Sequence, residues 1–250
     1  MTKRPATVLV GHGSVMSESG HGMMQVAETL RALQVTPIVE AGFLNYSTPT
    51  FAEAVARAHS QGATGVIVLP YFLVAGVYVK NDLPAMVRQV AAAHPGLRWS
   101  VADAFLEDLR IVNLALKRLA DAGAQPGPET GLLFAAHGTP LAAANRPIEW
   151  TLGRTQKKGS FGAARIGYLD CNAPDIPTAI DELVETGVRS LAILPYFLQL
   201  GRHVRRDLPA LFAAAQQRHP QVAFQIAHFL DYDPLLAEVA AERILASLTC

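Results

Sequence analysis

The sequence predicts two tandem α/β domains, each a doubly wound parallel sheet, and three observations carry that expectation. The first is an internal repeat that holds one register, an offset of 125 residues, along the whole chain. Leu69-Pro70-Tyr71-Phe72-Leu73 recurs as Leu194-Pro195-Tyr196-Phe197-Leu198, and Asp82-Leu83-Pro84-Ala85 recurs as Asp207-Leu208-Pro209-Ala210. Gly76 returns as Gly201, His12-Gly13 as His137-Gly138, Pro49 as Pro174, Gly62 as Gly187 and His94-Pro95 as His219-Pro220. The second observation is that short, continuous apolar runs alternate with helical patterns, as expected of parallel strands covered on both faces. The third is the segment Ala122 to Thr130, where Gly123, Pro126, Gly127 and Pro128 punctuate the chain and place the domains at 1–124 and 131–250.

Within the first repeat, Val8-Leu9-Val10 ahead of Gly11-His12-Gly13 marks a buried strand over Thr7 to Val10. Met16 to Leu33 has the periodicity of an amphipathic helix, Pro37 to Phe43 that of a second strand, and Thr50 to Gln61 that of a second helix. The strand Gly65 to Tyr71 and a long loop follow, then a helix from Leu83 to Ala93, a strand from Trp99 to Ala104 and a helix from Leu109 to Ala122. In the second repeat the corresponding first three strands are Gly131 to Ala136, Arg165 to Leu169 and Leu191 to Tyr196. Such alternation is the signature of doubly wound folds.

Composition narrows the function. In 250 residues half are hydrophobic and 17% are charged, with Lys+Arg and Asp+Glu equal at 21 each, which disfavours disorder, a polyanion binder and an acidic tail. Cys171 and Cys250 supply no disulfide framework and no CxxC site, so a reduced, cytoplasmic setting is expected. The apolar run behind Lys3 and Arg4 is too short for a signal-peptide core. The uncharged window Ala58 to Val79 is broken by Gly62, Gly65, Pro70 and Gly76, so no membrane partner is expected, and the balanced charge makes a nucleic-acid partner unexpected as well.

Several chemistries are missing. Gly11-His12-Gly13 and Gly20-His21-Gly22 lack the third glycine of a dinucleotide fingerprint, and there is no GxxxxGK[ST] loop, so no nucleotide cofactor is expected. There is no GxSxG elbow and no HExxH, and Gly11 and Ala136 stand where a histidine phosphatase would have arginine.

What remains is a group of residues just beyond strand ends, where open α/β sheets bind ligands. His137 follows the strand ending at Ala136, Asp170 the strand ending at Leu169, and His203 lies in the loop after Tyr196. Adjacent strands are about 4.8 Å apart, so these side chains can converge. Two imidazoles and a carboxylate suit Fe²⁺, Co²⁺, Ni²⁺ or Zn²⁺. The matching positions of the first repeat are His12, Asn45 and Tyr78, which retain one good donor, so the second repeat is expected to carry the chemistry. The other histidines have plainer readings. His94 and His219 sit at helix ends, where a cation favours the dipole; His59 and His228 read as structural; Asp207, ahead of Leu208-Pro209, reads as a helix N-cap.

Taken together, Val10-Gly11-His12-Gly13-Ser14, Ala136-His137-Gly138-Thr139, and Leu194 to Leu198 followed by Gly201-Arg202-His203-Val204 and Asp207-Leu208-Pro209 resemble the class II sirohydrochlorin chelatases in their two-lobe form. The family includes the cobalt chelatase of the cobalamin route and the iron chelatase of the sirohaem route. The resemblance covers both repeats. It implies two flavodoxin-like lobes around a cleft, insertion of Co²⁺ or Fe²⁺, with Ni²⁺ a further candidate, into sirohydrochlorin without a nucleotide, and two essential histidines matched by His137 and His203. Asp170 takes the place of an acidic residue that is often Glu in the family. One departure stands out: the longer members often keep both histidines in the first lobe, where this chain has Val77-Tyr78.

On that reading His137 and His203 are the catalytic residues, and His137, Asp170 and His203 the metal ligands. Arg202, Arg205, Arg206, Arg146 and His12 would hold the polycarboxylate ring, because guanidinium groups bind carboxylates bidentately; Arg154, Lys157 and Lys158 also follow His137. The duplication implies that one chain supplies both walls of the cleft, so a monomer with pseudo-dimeric lobes is expected. Two other classes fit the same residues: a metal or tetrapyrrole carrier without catalysis, and a metal-dependent hydrolase.

Overall fold

The protein is described by a computed structural model over residues 4–16 and 18–248. Lys3 and Cys250 lie outside the described residues. In the first unit Val8, Leu9 and Val10 are wholly buried, which requires cover on both faces of the strand that holds them. That strand, β1 (Pro5–Gly11), is central. It is followed by α1 (His21–Ala32), β2 (Ile38–Phe43), α2 (Phe51–Ser60), β3 (Gly65–Pro70), α3 (Leu83–Ala93) and β4 (Arg98–Val101). All pairings are parallel and the strand order is β2-β1-β3-β4. Alternate β1 residues Ala6, Val8 and Val10 pack against α2 and α3 in one buried apolar cluster.

The second unit repeats this plan after α4 (Leu109–Asp121), with β5 (Thr130–Ala136), α5 (Arg146–Gly159), β6 (Ala164–Tyr168), α6 (Ile176–Glu185), β7 (Ser190–Pro195), α7 (Leu208–Arg218) and β8 (Ala223–Ile226). Its strand order is β6-β5-β7-β8, again parallel throughout. The chain closes with α8 (Pro234–Leu248).

Local chemistry explains most boundaries. Thr50 and Glu53 form a reciprocal capping box on α2, and the counterpart Asp175 accepts from Thr178 N–H at 2.8 Å to start α6. Hydrogen bonding from Thr178 holds the Asp175 carboxyl below its usual range. Two expected boundaries move. The first helix starts at His21 rather than Met16, because Gly20 precedes it in the left-handed region and Ser19 N–H is bonded to Met16 C=O at 3.0 Å. The edge strand β4 ends at Val101 rather than Ala104, where its pairing with β3 runs out.

The compact units are not the two halves of the sequence. One comprises 1–106 and 232–250, the other 107–231. Helix α4, which ends the first repeat, packs on α5 and β7 of the second unit, and α8 packs on α1 and β3 of the first. Each unit is thus closed by the last helix of the other repeat. The polar contacts agree: Arg118 on α4 donates to Leu230 C=O at 2.7 Å, and Arg243 on α8 donates to Phe105 C=O at 3.0 Å. No sequence signal separates the two arrangements, because the exchanged helices have the same apolar faces to bury wherever they dock.

Between β3 and α3, and again between β7 and α7, the chain makes a π-helical turn, Tyr78–Asp82 and His203–Asp207. Leu208 N–H donates to His203 C=O five residues back, and Pro209, which has no N–H, follows at the start of α7. These turns lie at the carboxyl ends of the sheets.

Candidate metal centre

Each sheet ends in a His-Gly pair whose backbone is fixed before its side chain is placed. After β5, Leu169 N–H donates to Ala136 C=O at 2.9 Å and Asp170 N–H to His137 C=O at 3.0 Å. Gly138 is at φ +89°, and a Cβ there would stand 2.1 Å from Asp170 O, so only glycine fits. One residue on, the Asn172 side-chain oxygen accepts from Thr139 N–H at 2.8 Å and from Asn145 Nδ2 at 2.9 Å, clamping the far side of the loop. The main chain carrying His137 is therefore held on both sides.

The imidazoles are oriented by what their Nδ1 atoms meet. His137 Nδ1 lies 3.2 Å from Gly138 C=O, and a carbonyl only accepts, so the proton is on Nδ1. His203 opens the π-helical turn, and its Nδ1 donates to Asp207 Oδ2 at 2.8 Å. Both rings therefore present the Nε2 lone pair. They meet edge to face, with centroids 5.0 Å apart and planes at 78°. A histidine whose second nitrogen donates to a carboxylate is the usual arrangement of a metal-ligating imidazole.

Asp207 is not the N-cap that the sequence suggested. Its backbone is helical and its side chain makes no capping bond, because the π-helical turn runs directly into α7. The carboxylate is instead on His203, with Arg202 Nε at 3.9 Å from its other oxygen. The signal was the spacing: four residues put His203 and Asp207 on one face once the turn is helical.

The structure brings together two of the three expected ligands. Asp170 lies beside His137 in the backbone, but its carboxylate accepts from Cys171 N–H at 2.8 Å. Among the described residues no three His, Cys, Asp or Glu side chains are grouped to hold a metal. The physical reason is local: Cys171 is at φ +65°, and the turn folds the Asp170 carboxylate back on its own chain. Desolvation and the Asp170 carboxylate raise the exposed Cys171 thiol, which disfavours a thiolate ligand there.

The first unit holds a copy with different side chains. His12 Nδ1 is 2.8 Å from Gly13 C=O, and Gly13 at φ +83° would put a Cβ 1.8 Å from Asn45 O. Ser47 takes the place of Asn172 and bonds both Ser14 N and Ser14 O at 2.9 Å. His12 meets Tyr78 edge to face at 4.3 Å, with Tyr46 at 6.2 Å. Tyr46 and Tyr78 are exposed at 73% and 44%, and Val15 at 83%, so this copy offers an apolar, aromatic surface instead of a second imidazole.

The basic residues divide in two. Arg202, Arg205 and Arg206 are exposed on the π-helical turn that carries His203. Of those after His137, three are engaged elsewhere. Arg146 pairs with Glu107 at 3.1 Å, Arg154 lies over the Trp150 ring at 5.2 Å, and Lys158 donates to Asn113 at 2.6 Å. The repeated Leu-Pro-Tyr-Phe-Leu motif is structural: Tyr196 is buried, stacks on Phe134 at 5.1 Å and donates to Thr151, and burial holds its phenol well above the ordinary range.

The CbiX family model matches the chain twice, over 6–122 and 131–247. The chain belongs to the CbiX family. A sirohydrochlorin ferrochelatase of Priestia megaterium is 24% identical over 98% of this chain and 91% of its own length. A sirohydrochlorin cobaltochelatase of the same organism is 22% identical over 95% and 78%. Among solved structures, SirB from Bacillus subtilis with Fe³⁺ matches this CbiX-family chain with a TM-score of 0.85 at 21% identity, covering 98% of this chain and 95% of that one, which establishes the tandem chelatase fold. Among the described residues no helix is long and apolar enough to cross a membrane.

Proposed function

We propose that this chain is a sirohydrochlorin chelatase, a lyase that inserts Co²⁺ or Fe²⁺ into the ring, and that His137 and His203 form the inserting site. The observation that carries the reading is the pair of imidazoles at the carboxyl end of the second sheet, both with Nδ1 satisfied and Nε2 open. The family match and the sirohydrochlorin chelatases among its relatives support the substrate. No observation favours a carrier or a hydrolase.

The chemistry follows from the donors. Insertion removes water from the ion, removes two pyrrole protons and joins the metal to the ring nitrogens. Two neutral imidazoles bind a borderline divalent ion without closing its coordination sphere, so ring nitrogens can displace water and then histidine. Each imidazole released from the ion can accept a proton. The Asp207 carboxylate holds the His203 ring in place. Arg202, Arg205 and Arg206 attract the substrate carboxylates. On the first unit, His12, Tyr46 and Tyr78 present an aromatic face of their own. We take the chain to act as a cytoplasmic monomer, with the complete site in the repeat 131–250 and the altered copy in 1–124.

Replacing Arg202 with alanine should raise KM for sirohydrochlorin about three- to tenfold and flatten the salt dependence, with metal affinity unchanged. Wild-type protein that used protoporphyrin, with fewer carboxylates, equally well would refute the assigned substrate class.

A further inference from the structure

We propose a second divalent-metal site, formed by His59 and His94 on the first unit and remote in sequence from the insertion residues. His59 lies exposed in the last turn of α2, and His94 is the C-cap of α3. Their Nδ1 atoms are 3.2 Å apart, with ring planes at 88° and centroids at 5.1 Å. Two nitrogens bound to one ion at about 2.1 Å, and about 100° apart, are separated by about 3.2 Å. The spacing that lets the two rings share a proton is therefore also the spacing that lets them share a cation.

A second observation points to positive charge at this place. Both histidines sit at helix C-termini, where the dipoles present their negative ends. Helix α3 has no basic residue in its last turn. In α2 the other basic residue of that turn, Arg57, is turned aside to Glu40 at 3.0 Å and Ala41 C=O at 3.4 Å. The second repeat has no such pair. There His219, the counterpart of His94, meets Asp181 at 2.6 Å, and Val184 stands in place of His59. Burial alone would raise the Asp181 carboxyl, but hydrogen bonds from His219 and Arg218 outweigh it and hold it below its usual range. The paired imidazoles thus belong to this sequence and are not a requirement of the fold.

Imidazole donors select Co²⁺, Ni²⁺, Cu²⁺ or Zn²⁺ over Mg²⁺ and Ca²⁺. With two protein ligands and the rest water, the ion exchanges readily, which suits a site that holds an ion and gives it up. The inference does not rest on the insertion reading. The test is titration of the full chain with Co²⁺ alone, followed by calorimetry and by visible absorption, in wild type, a His59→Gln/His94→Gln variant and a His137→Ala/His203→Ala variant. The site predicts that the Gln pair loses one equivalent, or weakens it at least about tenfold, with unchanged circular dichroism, that His137→Ala/His203→Ala retains it, and that excess Mg²⁺ does not displace it. A Gln pair that binds the same number of Co²⁺ ions with the same affinity as wild type would overturn the proposal, as would displacement by Mg²⁺.

Discussion

Replacing His203 with alanine should lower the rate of metal insertion about 10²- to 10⁴-fold, the range associated with loss of a positioned general base, and His137→Ala should do the same. Neither change should unfold the protein. His137 is exposed and the His203 side chain is 46% exposed, so little packing is lost. His12→Ala should cost far less, because its partner in the edge-to-face pair is Tyr78, a poor donor for a divalent ion. The measurement is insertion rate for the three variants side by side, with circular dichroism as the folding control. Equal loss from His12→Ala, with His137→Ala still active, would move the chemistry to the first repeat.

The second large effect is expected at Asp207. Its Oδ2 holds the Nδ1 proton of His203 at 2.8 Å, so Asp207→Ala frees the ring to rotate and removes the charge that strengthens Nε2 as a donor. Metal affinity should fall about 10- to 100-fold, the effect usual for the partner of a ligating histidine. Asp207→Asn keeps an acceptor but not the charge and should fall between the two. A structural role alone would lower Tm in both variants without this graded loss of affinity, so Co²⁺ titration beside thermal denaturation distinguishes the two.

Much of this architecture could be read from the sequence, because the repeat is written in residues that the backbone itself needs. Gly13 and Gly138 stand where a Cβ would strike a neighbouring carbonyl, and Thr50 with Glu53 caps a helix through a bond the sequence pattern encodes. The pairing of His137 with His203 was legible for the same reason: both follow the ends of adjacent parallel strands. Two features were not. The exchange of α4 and α8 leaves the apolar pattern of each helix unchanged, so nothing in the pattern says which sheet it covers. The role of Asp207 depended on a π-helical turn, and an Asp-Leu-Pro sequence more simply suggests a cap. Asp170 failed in the opposite way: its position beyond β6 was right, but its carboxylate bonds Cys171 N–H.

The central claim is that the His137–His203 pair performs metal insertion into sirohydrochlorin. The most direct test is the anaerobic time course of Co²⁺ insertion, followed by the visible spectrum of the ring, for wild type and the His137→Ala/His203→Ala variant at saturating metal and ring. The account predicts rapid insertion by wild type and a variant no faster than the reaction without protein. Insertion by the variant at the wild-type rate would contradict it.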